Sequence, residues 1–265
     1  MGMLKLRSRL SLARKDSTPS PRPVSGTRFE ALSDEVQALL ENQADAVPFH
    51  GWTHTDFVRK KAVQFASARS ADVGLVEAAA LVHDLNYVVA PNSAPSAGCE
   101  MRREILRRCT FSPDTIERIE QIIDNAHTEH RRPEVDVETA CLSDADTLYK
   151  ALPITPVLFA HRYLAENGID LGELAEKIVV EQIQKLKDNY YFYDERLMTR
   201  YRGWAEANLG LWEAILDAMN DPEVAALARD EVATERVARR LPPAPADRGS
   251  SRRRYRTPAL QHVPR

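Results

Sequence analysis

The sequence predicts an all-α protein with one helical domain. Apolar residues recur at helical spacing through the middle of the chain, and no segment there alternates convincingly as a β-strand would. Only ten glycines occur in 265 residues, few for a protein rich in hairpins. From His54, the apolar positions Phe57, Val58, Ala62, Phe65 and Ala66 share one helical face. Leu75 to Val82 is apolar all round except at Glu77, as a central buried helix requires. Ser112-Pro113 reads as a helix start, followed by Ile116, Ile119, Ile122, Ile123 and Ala126 on one face. Val137, Ala140, Cys141 and Leu148 mark another helix. Asp170 with Glu173 three residues later reads as a capping box. A long helical stretch runs from about Asp194 to Asn220, before Asp221-Pro222 breaks it.

Charge divides the chain into an acidic body and two basic tails. Residues 1–28 carry seven basic residues and one acid, and residues 241–265 carry six and one, within a net charge of −3. The body, 29–240, is therefore strongly acidic, which argues against non-specific nucleic-acid binding. Ser17 to Gly26 and Leu241 to Pro245 are rich in proline, so both tails are expected to be disordered. The N-terminal leucines form no single helical face, which favours a plain basic tail over a transit peptide. No apolar run approaches the roughly 20 residues of a membrane span. Cys99, Cys109 and Cys141 lack CxxC spacing and read as reduced thiols of a cytoplasmic protein.

His83-Asp84 ends the most apolar helix. A buried imidazole and carboxylate must be satisfied, and a divalent cation satisfies both together. His54 lies on the apolar face of its own helix, and Asp146 lies in the helical run Ser143-Asp-Ala-Asp-Thr-Leu148. Two imidazoles and two carboxylates around one ion would leave positions for water and a substrate oxygen.

These residues, in this order on successive helices, resemble the HD-domain metal-dependent phosphohydrolase superfamily. His54-Thr-Asp-Phe-Val-Arg-Lys-Lys-Ala62 is similar to the family's first helix, and Glu77-Ala-Ala-Ala-Leu-Val-His-Asp-Leu85 to its second motif. Glu138 to Leu148, with its Asp-Ala-Asp-x-Leu run, is similar to its last. The resemblance spans about residues 50–200. It implies His54, His83, Asp84 and Asp146 as ligands of one divalent metal (Mn, Co, Fe, Ni or Zn). It also implies hydrolysis of a phosphate ester or anhydride, a nucleotide or another small phosphorylated metabolite, by a metal-activated water.

The family's further metal histidine is missing from 95–108, which favours one metal over a di-iron oxygenase. Tyr87 and Val88 stand where related nucleotide hydrolases carry an acid. That leaves Asp144, Glu129 and His127 as acid/base candidates, and leaves room for a non-catalytic module that binds a nucleotide or a protein. Lys61, two turns after His54, and Lys150, one turn after Asp146, are candidate phosphate contacts, as are His130 and Lys185. Lys187, Arg196 and Arg200 are further cations of the same region. Tyr190 to Tyr193 reads as core packing ahead of base stacking. A homodimer through the helical surface is compatible with this reading.

Overall fold

Helices form where caps and apolar spacing place them. The computed structural model describes residues 27–127 and 132–229, so the basic tails lie outside it apart from Thr27 and Arg28. Among the described residues there are helices and no strands. The expected all-α class is what the structure shows.

Helix α1, Arg28–Asn42, opens with a reciprocal capping box between Thr27 and Glu30. Gly51 precedes α2, Trp52–Arg69. A Cβ at position 51 would stand 2.8 Å from the Val47 carbonyl oxygen, so the chain enters α2 too tightly for a side chain. Asp72 caps α3, Val73–Val82. The short α4, Asn86–Val89, and a 3₁₀ turn, Pro95–Gly98, lead into α5, Cys99–Arg108. Ser112 caps α6, Pro113–Ala126, with proline in its first turn. Asp136 caps α7, Val137–Ala151. Then follow α8, Thr155–Asn167, which Gly168 ends at φ +66°, and α9, Leu171–Lys187, with the expected Asp170–Glu173 capping box. Asp194 caps α10, Glu195–Ala218.

The core sits around α3, where Val76 and Ala78 to Val82 are all buried. Helix α2 packs on both α3 and α7. The contacts are rich in alanine (Ala62, Ala66, Ala78, Ala79, Ala80, Ala145), which lets the backbones approach closely. The isoleucine face of α6 covers α3 and α7, and each fully buried isoleucine contributes about 1.5–3 kcal/mol of transfer free energy. Tyr191 and Phe192 are core residues, as the sequence suggested.

One buried ion pair crosses this core. Arg102 of α5 is 1% exposed, pairs with Glu120 of α6, and donates from Nη1 to the Pro95 carbonyl at 2.8 Å. A second, smaller cluster of Leu174, Ala175 and Trp212 holds α9 and α10 together, with Ala160, Tyr163 and Ile178 packed against it.

Candidate metal centre

Close packing of α2, α3 and α7 brings three polar side chains to one point. His54 comes from the first turn of α2, where it is fully buried against Phe49 and Tyr149. His83 caps the C-terminus of α3, and Asp84 follows it. Nε2 of His54 stands 2.9 Å from Oδ2 of Asp84, Nε2 of His83 stands 3.1 Å from the same oxygen, and the two Nε2 atoms are 3.3 Å apart. Ligand atoms at about 2.1 Å from a small divalent ion are separated by about 3.0 Å in octahedral and about 3.4 Å in tetrahedral sites. His54, His83 and Asp84 thus form a group that could hold a metal ion.

The surrounding bonds suit that use. Nδ1–H of His83 donates to the Ala80 carbonyl at 2.8 Å, which fixes the tautomer and leaves Nε2 with its lone pair turned to the cluster. Nδ1 of His54 is buried without a hydrogen-bond partner. Burial lowers the His54 pKa despite Asp84, whereas for His83 the charge of Asp84 overcomes burial and raises it. Burial works to raise the Asp84 pKa, but His83 and the bond from His54 hold it well below the ordinary carboxylate range.

Asp146 of α7 lies beside this group, with Oδ1 at 3.7 Å from Nε2 of His54. Its Oδ2 accepts from Lys150, one turn on, at 2.6 Å. Burial opposes the charged forms of both, yet each holds the other ionised: the Asp146 pKa is lowered and that of Lys150 is raised. His83, Asp84, Asp146 and Lys150 all line a cavity of about 170 Å³, and so does His127 at the C-terminus of α6.

The remaining candidates stand elsewhere. Asp144 is fully buried and accepts the backbone N–H groups of Tyr193 at 2.6 Å and Asp194 at 3.1 Å, so it ties α7 to the start of α10. Successive helical residues are about 100° apart, so Asp144 and Asp146 point about 200° apart and serve different neighbours. Lys61 does not line the cavity, and its ammonium donates to Gln64. It shares a face with His54 but lies two turns, about 10 Å, along the axis. Lys185 does not line the cavity either; Nζ donates to the Glu181 carbonyl at 2.6 Å, and Lys177, two turns earlier on α9, reaches the wall instead. Arg196 pairs with Asp194. Glu129 and His130 lie outside the described residues.

Two residues of the site, His50 and Glu166, stand outside the motifs of the sequence. His50 lies in the cavity wall, with its ring stacked on Tyr87 at 3.5 Å between centroids. Its Nδ1 makes a short bond to Glu166 of α8. The other oxygen of Glu166 accepts the backbone N–H groups of Phe49 at 2.9 Å and His50 at 3.1 Å. His50 is one helical turn before His54, which is the only local hint; Glu166 is 116 residues away. Tyr87 follows Asp84 by three residues, and burial followed by Asp84 pushes its phenol up, so it stays protonated.

The class defined by fold and site is an all-helical protein with a buried two-histidine, one-carboxylate group opening on an internal cavity. No family model, curated protein or solved structure matches the chain. No described helix is long and apolar enough to cross a membrane. The described thiols are free, and burial pushes Cys109 up to about 12 and Cys141 to about 11, so neither supplies a thiolate near neutrality.

Proposed function

We propose that the protein is a metal-dependent phosphohydrolase of the HD type, acting on a small phosphate ester. The observation that carries this reading is the triangle of 2.9, 3.1 and 3.3 Å between His54, His83 and Asp84 at the wall of a cavity. Asp146 is the fourth ligand, brought in by its Oδ1. A divalent cation held there supplies Lewis acidity and makes a nucleophile of water near neutral pH.

The chain's own residues do the rest. Lys150, kept charged beside Asp146, neutralises a phosphate oxygen. Tyr87, a neutral phenol in the same wall, donates a hydrogen bond to the ester or to the departing alcohol. His127 faces the same space from the end of α6. Phe49 and Leu142 add apolar surface to the same wall.

Two measurements test the reading together: metal content of the purified protein, and phosphate release from a panel of esters with each of Mn²⁺, Co²⁺, Fe²⁺, Ni²⁺ and Zn²⁺. The expected result is one divalent metal per chain and turnover that His83→Ala abolishes. Protein that binds no divalent metal, or turnover unchanged in His83→Ala, overturns it. Tight nucleotide binding without turnover in any metal would instead make the chain a binding module.

A further inference from the structure

The cavity has two unlike ends. At one end stand His83, Asp84, Asp146 and Lys150. The other end is formed where α8, α9 and α10 meet, by Ala160, Leu174, Ile178, Leu209 and Trp212. Helix α9 runs along both. Leu174, Lys177, Ile178, Glu181 and Gln182 follow helical spacing on one face, all in the wall, with the apolar Leu174 and Ile178 ahead of the polar Glu181 and Gln182 over about 12 Å. Glu181 acts electrostatically on Lys150, so the polar part of α9 is the part nearer the metal ligands.

Polar residues of the wall are held by partners within the protein. Nδ2 of Asn208 donates to the Leu152 carbonyl at 2.9 Å, and Oγ1 of Thr155 donates to the Tyr149 carbonyl at 2.6 Å. The ammonium of Lys177 lies over the Tyr163 ring at 5.9 Å. The acids in the wall are Asp84, Asp146 and Glu181; its lysines are Lys150, beside the ligands, and Lys177, over the Tyr163 ring. A single phosphate fits a divalent ion plus one lysine. A triphosphate would bring further negative charge against Glu181.

Resting on the phosphohydrolase reading, we infer that the substrate is the monophosphate ester of an apolar alcohol, with its phosphate at the His83–Asp84 end and its hydrocarbon between Ile178 and Trp212. In the reaction, water adds to phosphorus, the P–O bond to the alcohol breaks, and the alcohol oxygen leaves with a proton. The products are inorganic phosphate and a hydrocarbon-rich alcohol.

The test compares esters whose alcohols differ in apolar bulk but little as leaving groups: 2-phenylethyl phosphate and ethyl phosphate, with AMP and ATP alongside. The full-length protein is assayed with Mn²⁺, Co²⁺ or Zn²⁺. The expected result is a kcat/KM at least about tenfold higher for 2-phenylethyl phosphate than for ethyl phosphate. In Ile178→Gln that ratio falls by about tenfold. Circular dichroism checks the fold of the variant, and if its helix signal is lost, the same fall in ratio is read in Trp212→Leu. Equal rates for the two alkyl esters, or a preference for AMP or ATP, overturn this inference and leave metal-dependent hydrolysis standing. If no ester is hydrolysed, the phosphohydrolase reading fails, and calorimetric titration decides the ligand class. Binding of 2-phenylethyl phosphate at least tenfold tighter than ethyl phosphate, weakened in Ile178→Gln, supports it; equal binding overturns it.

Discussion

The helices that hold the histidines and the helices that close the cavity opposite them are built differently. Around α3, small and β-branched residues pack to near-complete burial, and buried charges are paired there: His83 with Asp84, Arg102 with Glu120, and Asp144 with two backbone N–H groups. The far side relies on a cluster of Leu174, Ala175 and Trp212, and leaves Val157 of α8 73% and Val180 of α9 69% exposed. The cavity runs along the seam between them. A rigid half fixes ligand atoms to a few tenths of an ångström, which metal chemistry demands. If the proposed substrate binds, the more thinly packed half would form its recognition wall, where lower local stability favours entry of a ligand.

Variants on either side of the seam break or sharpen this contrast. The largest expected effect belongs to the rigid half. Asp84→Ala removes the carboxylate shared by both histidines, and loss of metal with it should lower hydrolysis by about 10³-fold, measured as kcat/KM beside metal content. Arg102→Ala leaves Glu120 without its buried partner and should cost about 3–5 kcal/mol in urea unfolding, with the metal ligands intact in the folded fraction. Glu166→Ala tests the strap between the halves. It deprives two backbone N–H groups and the His50 ring of their acceptor, so a loss of about 3 kcal/mol is expected in the same assay.

Acidity gives a smaller and graded effect. The His83 pKa is raised and the His54 pKa is lowered, so at pH below the raised His83 value a cation must displace the His83 proton. Metal affinity should therefore rise about tenfold per pH unit and level off above the raised His83 value, as read by titration with a chelator. Without metal, the protonated His83–Asp84 pair contributes stability that is fully present below the ordinary histidine range and is lost as pH rises through the raised value. The smallest effect is expected at Lys61. Lys61→Ala should stay within about 0.5 kcal/mol in stability.

Much of the rigid half was legible from local signals. A cap residue, an apolar face and a His-Asp pair at a helix end are written within a dozen positions, and α2, α3, α6 and α7 begin and end close to where those signals stand. The recognition wall was not. It joins Ala160 of α8 to Leu174 and Ile178 of α9 and Trp212 of α10, and spacing along the chain carries no record of such pairings. Lys61 and Asp144 show the limit within a helix. A helical wheel gives direction around the axis but not height along it, and it does not say which neighbour an acid will meet. Asp144 met backbone N–H groups; Asp146, two residues on, met His54 and Lys150.

Glu166 has a consequence for the order of assembly. Every residue of the ligand group precedes Leu152, while the carboxylate that fastens Phe49 and His50 is reached only in α8. A chain emerging from its N-terminus can thus gather His54, His83, Asp84 and Asp146 before the segment ahead of α2 is locked. The Glu166 contact can form only once α8 has been added to the chain. The ion would then be captured by an open bowl, and the lid of the bowl, α8 with Glu166, would be fitted afterwards.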